Sequence, residues 1–98
     1  MIAAKFHKTG FEIILAACDS DLLGKTLVER DMRMVLDSSF FGDELVSEDE
    51  FKGMLANATS ANLVGEKAVG AAIESGYVLQ DAVARISGTP YAMFFCMG

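Results

Sequence analysis

Residues 11–18, FEIILAAC, constrain the fold more than any other stretch of the chain. Read as a strand, one face carries Phe11, Ile13, Leu15 and Ala17. The other carries Glu12, Ile14, Ala16 and Cys18, apolar after its first residue. Successive strand side chains point to opposite faces, and a strand apolar on both faces is interior to its sheet. IAAKFH precedes it across Lys8-Thr9-Gly10, a short glycine-containing link that suits a hairpin. TLVE and MRMVLD then alternate around Arg30-Asp31, with Met32, Met34 and Leu36 on one side, and predict a second hairpin.

SSFFGDELVS reads as irregular, and helix signals follow it. Ser47 and Glu50 have the S-x-x-E spacing of a capping box, in which each side chain satisfies the other's free backbone N–H. Phe51, Met54, Leu55 and Ala58 continue at i, i+3, i+4 and i+7 as one apolar stripe. After a break at Ala58-Thr59-Ser60, ANLVGEKAVGAAIES predicts a second helix, closed by Gly76 at the C-cap. Gly65 and Gly70 fall inside it. Interior glycine costs about 1 kcal/mol against alanine, so another backbone is expected to approach there. DAVARI and YAMFFCM, joined by Ser87-Gly88-Thr89-Pro90, return to β. Nothing divides residues 1–98, so the expectation is a single α+β domain. Its sheet is mixed or antiparallel with four to six strands, and a two-helix hairpin packs on one face.

The apolar runs IILAAC and YAMFFCM fall far short of the roughly 20 residues a membrane helix needs. No basic segment precedes a hydrophobic signal core. Cys18 and Cys96, both in apolar runs, suit buried reduced thiols, so the expected location is cytoplasmic, away from membranes. A net charge of −6 argues against a general electrostatic grip on nucleic acid. His7 is the sole histidine, and no C-x-x-C or H-x-x-x-H occurs. Asp43, Glu44, Glu48, Asp49 and Glu50 surround a helix start, where negative charge is stabilising in any case. No metal, cofactor or catalytic residue is therefore assigned.

CDSDLLGKT, residues 18–26, ends as a phosphate-binding loop ends. A complete loop is G-x-x-x-x-G-K-[ST], and the position five before Gly24 is Asp19. A carboxylate there would face the phosphates, and the segment that follows reads as a strand. The alternative is a capped turn, with Asp19 and Ser20 bonding to local N–H groups. Asn62, with Glu66 and Lys67, forms a second polar group at the start of the small-sided helix. There Thr59, Ser60 or Asn62 caps locally, or Asn62, Glu66 and Lys67 join Asp19 and Lys25 on one binding surface. Among aromatics, Phe40-Phe41 and Phe94-Phe95 are candidates for exposure; neighbours in a strand face opposite ways, which sets one of Phe94 and Phe95 outside the core.

Four segments taken together, CDSDLLGK, SSFFGDE, ANLVGEKAV and ISGTPYA, make the chain resemble the archaeal domain-of-unknown-function family numbered 424. The resemblance implies a small cytosolic archaeal α+β protein with no established reaction, an accessory of information processing connected with translation. The resulting expectation is a non-enzymatic binding or adaptor domain for a protein or ribonucleoprotein partner, with Asp19, Lys25, Asn62, Glu66 and Lys67 as contacts. One alternative is a small-molecule or nucleotide-handling enzyme with Asp19 or Glu66 as acid/base, which requires a pocket of converging side chains. The other is a self-associating structural protein, a homodimer paired through an exposed C-terminal strand.

Overall fold

The computed structural model describes residues 1–96. Its elements are β1 (Ile2–Thr9), β2 (Glu12–Asp19), β3 (Thr26–Glu29), β4 (Met32–Val35), α1 (Ser38–Phe41), β5 (Leu45–Val46), α2 (Glu48–Leu55), β6 (Ser60–Val64), α3 (Glu66–Glu74), β7 (Ala84–Ile86) and β8 (Thr89–Phe95). The doubly apolar segment supplies β2 from Glu12 onward, within a six-stranded sheet of order β5-β1-β2-β6-β8-β7, while Phe11, expected on its face, stands exposed in the Gly10-Phe11 turn. It pairs antiparallel with β1 and parallel with β6, which makes the sheet mixed. The α+β class follows as expected.

Both faces of β2 are covered, by different material. Leu15 and Ala17 join Ile2, Ala61 and Leu63 beneath α2 and α3, against Phe51, Leu55, Ala68 and Ala72. Fully burying a Leu, Ile or Phe side chain contributes about 1.5–3 kcal/mol, so this is the larger core. Ala16 and Cys18 face the other way with Ala3 and Val64. There the β3–β4 hairpin and α1 lie over the sheet through Leu27, Met34, Leu36 and Phe41. SSFFGDELVS, expected to be irregular, supplies α1 and β5. Asp37 caps α1, its carboxylate accepting from Phe40 N at 3.1 Å.

The capping box forms as the spacing predicts: Ser47 Oγ accepts from Glu50 N at 3.1 Å, and Glu50 Oε1 accepts from Ser47 N at 3.2 Å. The second helix is shorter than expected. ANLV belongs to β6, a strand flanked by β2 and β8, so α2 and α3 share a sheet face without being consecutive elements. The strand does alternate, Ser60 and Asn62 against Ala61 and Leu63, but five residues running straight into a helix are too few for that period to separate strand from helix. Gly65 is then the residue before α3, with φ 110, and the local caps expected from Thr59, Ser60 or Asn62 do not arise. The expected close backbone at Gly70 is also absent: a Cβ there would meet nothing within 4 Å. Gly76 closes α3 as expected, its N–H donating to Ile73 O at 3.0 Å.

Candidate interaction surface

The five candidate residues occupy three places. Asp19, at the end of β2, is buried and reaches across to the start of α3. Its Oδ2 accepts from Lys67 N at 3.0 Å and its Oδ1 from Ala68 N at 2.9 Å. A helix N-terminus presents free N–H groups and partial positive charge; here Asp19 supplies the anion that satisfies them. The expected bonds from Asp19 to local turn N–H groups are replaced by this pair, and no side-chain cap serves the 3-10 turn at Ser20–Leu22. Gly65 is required by this approach, since a Cβ on it would stand 2.4–2.7 Å from the Asp19 carboxyl atoms.

Glu66 and Lys67 are exposed beside this cap. Glu66 pairs with Arg85 at 3.3 Å, and the Lys67 backbone rather than its ammonium meets Asp19. Lys25 is exposed just before β3, its carbonyl accepting from Leu36 N at 2.9 Å. Asn62 lies elsewhere. It pairs with Ala16 and Met93 in the middle of the sheet, on the face of Ala16 and Cys18. Asp19 follows the parity of Leu15 and Ala17, on the helix-covered face. Strand alternation therefore sends Asp19 and Asn62 to opposite sides of the sheet.

On the outer face the pairing registers form rows. Ala3, Cys18, Val64 and Tyr91 align beneath the β3–β4 hairpin. The next rows are Lys5, Ala16, Asn62 and Met93, then His7, Ile14, Ser60 and Phe95. The hairpin and α1 cover Tyr91 but stop short of the β8 end of the last two rows. Met93 is 60% exposed and Phe95 71%, whereas Phe94, on the helix side, is 8% exposed. A hollow of about 300 Å³ opens beside Asn62, walled by Met34, Val35, Phe40, Tyr91 and Met93. Phe40 stacks on His7 with ring centroids 5.0 Å apart, while Phe41 turns into the core. The split of Phe94 from Phe95 follows the alternation expected from sequence. Val35 and Met93 went unnoticed there, although Met93 has the same strand parity as Phe95.

Two groups are displaced from their ordinary pKa. Burial, assisted by Asp19 and Asp21, pushes the Cys18 thiol up to about 11, which keeps it protonated and unreactive at neutral pH. The Asp37 carboxyl is held below its usual value by the Ser39 hydroxyl and then by Phe40 N–H. Among the described residues, no three His, Cys, Asp or Glu side chains converge as a metal-ligand set. No helix among them is long and apolar enough to cross a membrane.

A family model described as "Protein of unknown function (DUF424)" matches residues 7–97. An uncharacterized conserved protein from Methanopyrus kandleri, known from its crystal structure, is similar in fold. The TM-score is 0.81 at 20% sequence identity, over 99% of this chain and 94% of that one. No curated protein matches the chain.

Proposed function

The chain belongs to the DUF424 family of unknown function, and we propose that it is a non-enzymatic binding domain that docks a protein partner on the outer face of its six-stranded sheet. One observation carries this reading: apolar surface runs from the hollow around Asn62 over Met93 and on to Phe95. Contiguous apolar surface of this kind marks interaction sites far more often than isolated apolar residues do. Asn62 supplies the polar group that orients a partner within it. The acid/base reading finds in Asp19 a carboxylate whose two oxygens are already held by α3. In its finer form the proposal makes the domain an adaptor attached to translation or RNA-related machinery.

The test compares wild type with Met93→Ser/Phe95→Ser as baits in native-host lysate at low salt, with and without nuclease. Both side chains are exposed, so the variant retains the core. A defined protein held by wild type, resistant to nuclease and lost from the variant, supports the docking face. If the retained protein belongs to a ribosomal or RNA-processing assembly, the finer form gains support as well. A partner that the variant keeps refutes the assignment of this face. Self-association has an observation of its own, since Met93 and Phe95 point their backbone groups away from β6 beyond the end of β7. A mass that doubles with concentration in wild type, and not in the variant, would favour it.

A further inference from the structure

The opposite edge of the sheet carries a second, separate feature. Ile2 and Ala3 of β1 pair with Val46 and Leu45 of β5, and Ala4 N donates to Glu44 O at 3.2 Å. Backbone groups of alternate strand residues point the same way. The N–H and C=O of Phe6 and Lys8 therefore point outward with those of Ala4, where β5 has no residues to meet them. The chain leaves this line at Gly42, whose φ of 78 turns it from α1. Helix α1 is held over the outer face instead, with Lys5 Nζ donating to Ser39 O at 3.3 Å and Phe40 O accepting from His7 Nε2 at 2.7 Å.

A groove of about 840 Å³ opens beside β1 at Ala4, Lys5 and Phe6, where this open edge begins. On the α2 side its wall is made by Phe6, Val46 and Met54 together with Glu50, whose carboxylate also caps α2, and on the α1 side it is lined by Ser38 and Ser39. Asp43, Glu44 and Glu50 contribute three carboxylates to the lining against the single amine of Lys5.

We infer that the β1 edge receives an extended peptide segment of a partner protein, carrying lysine or arginine beside apolar side chains. The segment continues the line of β5 and bonds to the main chain of Phe6 and Lys8. Addition of a strand takes affinity from main-chain bonds and specificity from pockets for alternate side chains. Apolar side chains enter beside Phe6 and Met54, and the excess of carboxylates selects a basic segment over an acidic one. This groove is independent of the outer-face reading, being separated from β8 by β2 and β6.

The probe is an acetylated, amidated pentapeptide alternating valine and lysine, titrated into the 15N-labelled protein at low salt. The expected result is chemical-shift change along Phe6, Lys8 and Val46, with slowed hydrogen exchange at the Phe6 and Lys8 amides. The valine–glutamate counterpart should bind at least about tenfold more weakly, and Asp43→Lys/Glu44→Lys should weaken the valine–lysine peptide by about tenfold. Both of those side chains are exposed, so the variant keeps its fold. Equal binding of the acidic peptide overturns the charge argument and with it the proposal. Shifts confined to other surfaces, or none at all, overturn it directly. Protection of the Phe6 and Lys8 amides that grows with protein concentration alone assigns the edge to a second copy and also overturns it.

Discussion

Replacing Gly65 by alanine in a double-mutant cycle with Asp19→Ala tests the contact that joins β2 to α3. Gly65 has φ 110 and ψ 157, a region that residues other than glycine reach at a cost of about 2 kcal/mol. Its added Cβ would lie 2.4 Å from Asp19 Cγ, so the carboxylate must move. Moving it forfeits its bonds to Lys67 N and Ala68 N, charge-assisted and together worth about 3 kcal/mol. Gly65→Ala should therefore cost about 5 kcal/mol, and Asp19→Ala alone about 3 kcal/mol. With the carboxylate already gone, alanine at 65 adds only the backbone strain, and the double variant should stand near 5 rather than the additive 8 kcal/mol. Urea unfolding followed by circular dichroism measures all four proteins. In a chain of 98 residues each kcal/mol moves the melting temperature by about 4–8 °C, so the differences are well resolved. Additive losses, or a Gly65→Ala cost below about 1 kcal/mol, would refute the claim that this glycine exists to admit Asp19.

Gly70→Ala should act in the opposite direction, stabilising by about 1 kcal/mol, because a Cβ there meets open space; a lowered melting temperature would contradict this. Ser47→Ala should cost about 1 kcal/mol through loss of the capping box, measurable by the same melts. Cys18 has a folded-state pKa raised from 9.0 to about 11, so the folded chain retains a proton that the unfolded chain loses. The associated stability is complete below pH 9 and disappears as pH rises through 11, a loss of about 3 kcal/mol. Urea midpoints of wild type should fall over that window, and those of Cys18→Ala should fall less. Lys25→Ala and Asn62→Ala should leave the melting temperature nearly unchanged, since neither residue supports the core; a loss of several degrees in both would return them to a structural role.

Wherever a pattern was complete within a few neighbouring residues, the sequence sufficed. The double apolarity of β2 foretold an interior strand, Arg30-Asp31 marked the second hairpin, and Ser47 with Glu50 marked the start of α2. In each case propensity, turn chemistry and hydrophobic period agree. ANLV was illegible for the converse reason. Its strand spans only five residues, too few for the alternation of Ser60 and Asn62 with Ala61 and Leu63 to stand out, and only pairing with β2 and β8 separates it from the helix it precedes.

The candidate site was legible as residues and not as a place. Asp19 does reach the start of α3, beside Glu66 and Lys67, as a cap whose partners, the N–H groups of Lys67 and Ala68, lie 48 and 49 residues away in the chain. Asn62 is only a few positions from Glu66, yet strand parity and the β6–α3 junction send it to the opposite face, among Met34, Phe40 and Met93. Local chemistry is determined by neighbours along the chain, and the sequence alone determined it here. Which distant groups share a surface depends on strand register, where one step exchanges the two faces of a sheet. Only the tertiary structure decided that.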